Sequence, residues 1–293
     1  MMKSIIKLFF LIFSFPLLAN IGQQSLSIID EGRNRPIEMM VWYPTHSNQL
    51  TNEGTVWIQP DVALDAPIKE GKYPLVLLSH GWGGEKIELL WLAETLAEQG
   101  YIVVGIDHYG NTWKDYSEEI SMNYWHRPLD ITQTLDYLLK DSPFSSSIDS
   151  ERIGFAGFSM GGLTGLWLAG GEINQASYED PRIRAFFLMA PRGKDFSKSS
   201  LEKISAPLFI VTGKNDEILP YKENGGYISK HARTNRFELL EGEVGHPVFL
   251  NCPSEIGREN LSKEITEDPL SIDRKKIHDR VSEMAVNFFR ENL

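Results

Sequence analysis

Three residues far apart in the chain are of the types that together cleave an ester. Ser159 stands in Gly157-Phe158-Ser159-Met160-Gly161, Asp216 in Gly213-Lys214-Asn215-Asp216-Glu217, and His246 in Gly245-His246-Pro247. A serine hydroxyl is a poor nucleophile at neutral pH and needs a base beside it, with a third group to orient that base. His246 Nε2 is the expected base. Asp216 is expected to accept from Nδ1–H and so hold the ring in the useful tautomer. The oxyanion that forms needs two N–H donors. Met160 offers one, at the start of a helix-like run. Trp82, in His80-Gly81-Trp82-Gly83-Gly84, is assigned the other, because the glycines around it let backbone amides turn inward. Singly, each residue also has a plainer reading: a turn before a buried helix, a turn aspartate, a loop histidine, a core tryptophan. Their joint placement at strand ends is what favours chemistry.

Such groups must be held at the carboxyl ends of parallel strands. Tyr73 to Ser79 is a continuous apolar run, which reads as a strand buried on both faces. Tyr101 to Ile106, Ile153 to Phe158, Ile183 to Ala190, Ala206 to Thr212 and Phe237 to Leu240 read as further strands. Helical spacing marks Glu85 to Gln99, stopped by Gly100, and Lys275 to Phe289; Pro128 to Leu139 reads as a helix with Pro128 in its first turn and Asp130 near its positive end, and Leu163 to Leu168 is a helix-like run after the serine turn. Ile37 to Tyr43, ended by Pro44, pairs as a hairpin with Leu26 to Ile29 across the turn residues between them. Residues 45 to 72 read as a long loop with a short strand near Val56-Trp57-Ile58, and 171 to 182 as a polar loop. Strand and helix alternate from residue 73 onward, so the fold class is α/β, a mostly parallel central sheet with helices on both faces. Ser, Asp, His is the chain order of the α/β-hydrolase fold.

The 293 residues carry a net charge of −11, which disfavours nucleic acid and anionic membrane surfaces as partners. Lys3 and Lys7, the apolar Leu8 to Leu18 and Ala19 make a signal peptide over residues 1–19, too short for a membrane span; an uncleaved anchor is the other reading. Residues 20–293 then form one hydrolase domain, secreted or periplasmic, with no stable membrane span after cleavage. Cys252 is the only cysteine, which excludes an intrachain disulfide. The aromatic stretch from Asp107 to His126 lies on the active-site side, and His108, Tyr109 and Trp125 are its candidate substrate-binding residues, with a packed surface excursion as the alternative. Asp107 and His108 lack the spacing of a metal site, and no cofactor is expected. Arg127 with Asp130 reads as a helix cap. Phe249 and the loop from Asn251 to Asp268 are placed to cover a pocket near His246.

The stretches Arg35-Pro36 through Val41-Trp42-Tyr43-Pro44, Ser79 to Gly84, Arg127-Pro128-Leu129-Asp130, Gly157 to Gly162, Asp216 and Gly245-His246-Pro247 together resemble secreted serine α/β-hydrolases of the dienelactone hydrolase and platelet-activating factor acetylhydrolase group. Two departures matter. Dienelactone hydrolases usually carry Cys where this chain has Ser159. The animal acetylhydrolases take their acid from the preceding strand end, which here reads Leu188-Met189-Ala190-Pro191 and holds no carboxylate. Gly157 to Gly162 also resembles the turn of secreted cutinase-like polyester hydrolases. The expectation is therefore an esterase acting through an acyl-serine on short to medium acyl esters. Lipid acylhydrolase, polyester hydrolase and peptidase are the enzymatic rivals, and an inactive binding protein on the same scaffold is the rival of another class.

Overall fold

The computed structural model describes residues 20–52, 54–233 and 235–293; the expected signal peptide, residues 1–19, lies outside them. In chain order its strands are β1 (Asn20–Asp30), β2 (Arg35–Thr45), β3 (Ala63–Leu64), β4 (Tyr73–Ser79), β5 (Ile102–Ile106), β6 (Ile148–Phe158), β7 (Glu172–Ile173), β8 (Ala176–Ser177), β9 (Ala185–Met189), β10 (Leu208–Gly213) and β11 (Asn235–Leu240). Its helices are α1 (Leu90–Glu98), α2 (Glu118–Ser121), α3 (His126–Lys140), α4 (Met160–Leu168), α5 (Lys198–Leu201), α6 (Gly225–His231), α7 (Glu255–Asn260), α8 (Lys263–Thr266) and α9 (Arg274–Asn292).

One sheet runs in the order β11-β10-β9-β6-β4-β5-β2-β1-β3. The six strands from β11 to β5 are parallel, and the β1–β2 hairpin joins β5 antiparallel. Apolar runs build this centre because both faces are covered. Along β4, Leu75 and Leu77 enter one core while Val76 and Leu78 enter the other. Ile131, Leu135 and Leu138 of α3 and Leu163 and Leu166 of α4 fill the first core. Leu92, Ala93 and Leu96 of α1 and Val281, Ala285, Phe288 and Phe289 of α9 fill the second. Each large side chain buried this way contributes about 1.5–3 kcal/mol. After β4 the chain goes to β5 on one side, then returns to lay β6 on the other. The strand order therefore reverses between β4 and β6, and ligands bind outside the carboxyl ends of strands at such a point.

Several expectations needed correction. The strand from Arg35 does not stop at Pro44 but continues to Thr45. It can, because β5 pairs only with Met39 to Trp42, so the missing proline N–H costs no ladder bond. The helix expected from Glu85 begins at Leu90. Residues 85 to 89 instead make three-residue turns, with Glu88 N–H donating to Glu85 O and Leu90 N–H to Ile87 O. Val56 to Ile58 forms no strand; Trp57 makes a single bridge to Pro253, and the short strand falls at β3 beside β1. The loop after α4 contains the two-residue pair β7 and β8.

Candidate active site

β6 ends at Phe158 and α4 starts at Met160, so one residue must turn the chain. Ser159 does so at φ 55° and ψ −110°, a conformation that costs a non-glycine residue about 1–3 kcal/mol. The surroundings hold it there. Its N–H donates to Met189 O at 2.9 Å, and its carbonyl accepts from Leu163 N–H at 3.1 Å. A Cβ at Gly157 would sit 2.3 Å from Gly161 O, and one at Gly161 would sit 2.0 Å from Ser79 O. The glycines flanking Ser159 are thus a steric requirement of this crossing. Met160 opens α4, so its N–H has no carbonyl one turn back.

Asp216 lies just past β10 and is buried. Its Oδ1 accepts from the N–H groups of Ile218 (3.0 Å) and Leu219 (2.7 Å), which leaves Oδ2 for His246 Nδ1 at 2.6 Å. A carboxylate only accepts, so the proton sits on Nδ1 and the Nε2 lone pair is free. The His246 ring packs on Phe158 at a centroid distance of 4.7 Å. His246 heads a short 3-10 turn, His246–Phe249, after β11.

The Gly81–Gly84 turn follows β4, with Gly83 at φ +69°. The Gly81 N–H donates to Glu88 Oε2 at 2.6 Å, which removes it as an oxyanion donor and leaves the Trp82 amide as the next along the turn. Ser159, His246 and Trp82 line one cavity of about 410 Å³. Its other walls are mainly apolar: Val56, Trp57, Trp113, Phe158, Ile218, Leu250, Leu261 and Ile265. Leu261 follows α7 and Ile265 lies on α8, so the segment expected to cover the pocket does line it. Trp82 (41%), Trp113 (54%) and Ile218 (66%) remain exposed at its mouth. Two buried carboxyls also reach it. Glu85 accepts from Trp57 Nε1 and pairs with Lys114 at 2.8 Å. Burial pushes the Glu88 carboxyl up to about 7.

Of the aromatic stretch, only Trp113 joins the pocket. His108 does not: it is fully buried behind β4. Tyr109 stacks under Arg35, and Trp125 packs against Tyr124 and His126, both away from the cavity lining. Nor are Arg127 and Asp130 a helix cap. Both are buried, and α3 has no side-chain cap. Ser79 Oγ lies 2.9 Å from His108 Nε2, and His108 Nδ1 lies 3.1 Å from Asp130 Oδ2. This repeats the hydrogen-bond order of a catalytic serine relay with no exposure to substrate. Arg127 also donates to Ser79 Oγ and to His80 O. His80 Nδ1–H donates to Gly81 O at 2.7 Å, and Nε2 accepts the His108 N–H. The cluster thereby anchors the base of the Gly81–Gly84 turn. Spacing alone could not separate this buried set from a pocket wall. Glu88 and Glu85 gave no sequence signal either, because a helix over 85 to 99 would make them ordinary surface carboxylates.

Asp130 also pairs with Arg33 at 2.8 Å and Arg35 at 3.1 Å. Burial opposes its charge, but hydrogen bonds from His108 and Arg35 hold the carboxyl down at about 2. Burial, with Arg127 nearby, pushes His108 down to about 3, so the ring is neutral at pH 7. Both shifts cost stability in acid. The unfolded chain takes up the His108 proton as pH falls below 6.5 and the Asp130 proton below 3.8, before the folded chain does. Asp130→Asn strands the buried Arg35 guanidinium, while Arg33 keeps Asp30 as a partner, and is expected to destabilise by about 3–5 kcal/mol in urea unfolding at pH 7. Its further loss of stability below pH 4 should be shallower than wild type. Equal stability of the two proteins at pH 7 would show that the cluster carries no such energy.

Among the described residues, no group of three or more His, Cys, Asp or Glu side chains is placed to hold a metal ion. No helix among them is long and apolar enough to cross a membrane.

The sheet order, and the strained serine at the point where it reverses, are those of an α/β-hydrolase. A solved ferulic acid esterase from Streptomyces cinnamoneus shares the fold, with a TM-score of 0.73 at 20% identity over 95% of this chain and 91% of that one. The family model described as PETase, PET hydrolase-like, matches residues 65–263, and the chain belongs to that family. It is 30% identical to Cutinase 2 of Thermobifida cellulosilytica over 156 residues, 53% of this chain and 52% of that protein. It is also 30% identical to the bis(hydroxyethyl) terephthalate hydrolase of Streptomyces coelicolor over 151 residues, 52% of this chain and 42% of that one. The chain thus spans about half the length of the curated relatives it matches.

Proposed function

We propose that this protein hydrolyses carboxylic esters of short to medium acyl length through an acyl-serine intermediate. The observation that carries the reading is the opening of Ser159 and the Asp216-held His246 onto one largely apolar cavity. In this mechanism Ser159 Oγ attacks the ester carbonyl while His246 Nε2 takes its proton, then returns it to the leaving alcohol. The Met160 and Trp82 amides receive the oxyanion. Water repeats the sequence on the acyl-enzyme. The substrate is a small-molecule or lipid ester, and residues 20–293 act as one hydrolase domain exported by the leader at 1–19. Closer kinship with the dienelactone hydrolase and acetylhydrolase group is part of the same reading, supported by the Ser79 to Gly84 turn and the Gly157 to Gly162 elbow.

A second reading, an aromatic polyester hydrolase, is favoured by the exposed Trp82 and Trp113 at the cavity mouth, which suit a planar repeating chain, and by the family to which the chain belongs. The deciding experiment is hydrolysis of p-nitrophenyl esters from acetyl to dodecanoyl, beside release of soluble acid from a poly(ethylene terephthalate) film. Labelling by a fluorophosphonate should place the adduct on Ser159. A maximum at short chains with no film product supports the first reading. Film products that fall severalfold in Trp82→Ala and Trp113→Ala support the second. A maximum at dodecanoyl points to lipids. Folded protein that neither labels nor turns over any ester would refute the assignment and leave a binding protein.

A further inference from the structure

Glu88 is a charged residue type with 6% exposure, on no face the helical pattern explains, with its carboxyl inside the turn that carries Trp82. Oε2 accepts the Gly81 N–H at 2.6 Å. At the other end of the turn, a Cβ on Gly84 would lie 2.2 Å from Glu88 Oε1. The carboxyl therefore fills the concave side of the turn from Gly81 to Gly84. The turn's own closing bond, Gly84 N–H to Gly81 O, is long at 3.4 Å, and Gly83 sits at positive φ with open space around it. The buried cluster at His80 anchors the base of the turn, and its concave side is held by Glu88. Burying a carboxyl is costly unless it gains hydrogen bonds, so its presence here calls for a role.

We propose that Glu88 is a positioning residue: its carboxyl braces the Gly81–Gly84 turn so that the Trp82 amide, and not the Gly81 amide, faces the reacting carbonyl. The inference rests on the esterase reading above and on the Trp82 amide serving the oxyanion. Both protonation states of a carboxyl keep an oxygen that accepts the Gly81 N–H, so the brace does not need the charge. Glutamine keeps that oxygen. Methionine fills similar space without a comparable acceptor. Glu88 also lines the cavity, but the brace acts on the amide that receives the oxyanion, so its loss belongs mainly in kcat and not in KM.

The test uses Glu88→Gln, Glu88→Met and Glu88→Ala in the full mature chain, with p-nitrophenyl acetate as substrate and amide hydrogen exchange of the peptide spanning the turn as a second readout. Glu88→Met and Glu88→Ala should each lose about tenfold to a hundredfold in kcat, with KM within about threefold of wild type by the same argument. Exchange across the turn should quicken in both, while Glu88→Gln stays close to wild type in both readouts. Two acceptor-free variants are used so that a folding failure in one does not end the test. Wild-type kcat in either folded variant would overturn the proposal, as would a loss confined to KM, or a glutamine variant as impaired as methionine. If wild type hydrolyses no ester, the esterase reading fails. The exchange comparison then still decides whether Glu88 braces the turn: unchanged exchange in the acceptor-free variants overturns it.

Discussion

Replacing Ser159 with alanine is expected to lower kcat on p-nitrophenyl esters by about 10⁴- to 10⁶-fold. Only the attacking oxygen is removed. The amides of Met160 and Trp82 remain, and in the proposed mechanism they supply the residual acceleration over water. The fold should be unaffected, because alanine keeps the Cβ and the backbone contacts of Ser159 to Met189 and Leu163. The thermal midpoint of the variant should lie within a few degrees of wild type. Glycine at the same position should also be inactive but more stable than alanine by about 1 kcal/mol, since φ 55° costs glycine little. Activity retained in the purified alanine variant would remove Ser159 from the mechanism.

Replacing Asp216 with asparagine is expected to cost about 10³- to 10⁴-fold in kcat. Oδ1 accepts from the Ile218 and Leu219 N–H groups, so an asparagine must keep its carbonyl oxygen there. Its NH₂ then falls where Oδ2 stood, 2.6 Å from His246 Nδ1. Two donors cannot face one another, so Nδ1 gives up its proton and Nε2 carries it. A ring protonated on Nε2 cannot take the proton of Ser159. KM and thermal stability should change little, which separates this loss from unfolding. A kcat within tenfold of wild type would mean that His246 does not depend on Asp216 for its tautomer.

Most of the frame could be read along the chain, for a physical reason. Strands buried on both faces must be apolar throughout, and the flanking helices must show a 3.6-residue apolar stripe. The central parallel strands were therefore legible to within a few residues. So was the elbow, because Gly157 and Gly161 answer a local steric demand. The helix start failed at Glu85 because periodicity describes a face, not a competing bond; there, the turns of residues 85 to 89 carry Glu88 to Gly81.

What the sequence by itself determined is the class: an α/β chain with a serine in a strand-to-helix turn, and an aspartate and a histidine at later strand ends. Which charged and aromatic residues meet substrate was decided only by tertiary structure. His108 and Trp113 come from the same aromatic stretch, yet one is sealed behind β4 and the other stands at the cavity mouth. Ser79, His108 and Asp130 have the same residue types as Ser159, His246 and Asp216 and the same bond from imidazole Nδ1 to carboxylate, yet only Ser159 and His246 open on the pocket. Residue type sets what a group can do. Access to substrate depends on how distant segments pack: β4, β5 and α3 enclose the first set, while the segments around residues 57, 113, 250 and 265 line the cavity of the second, and no local pattern encodes that.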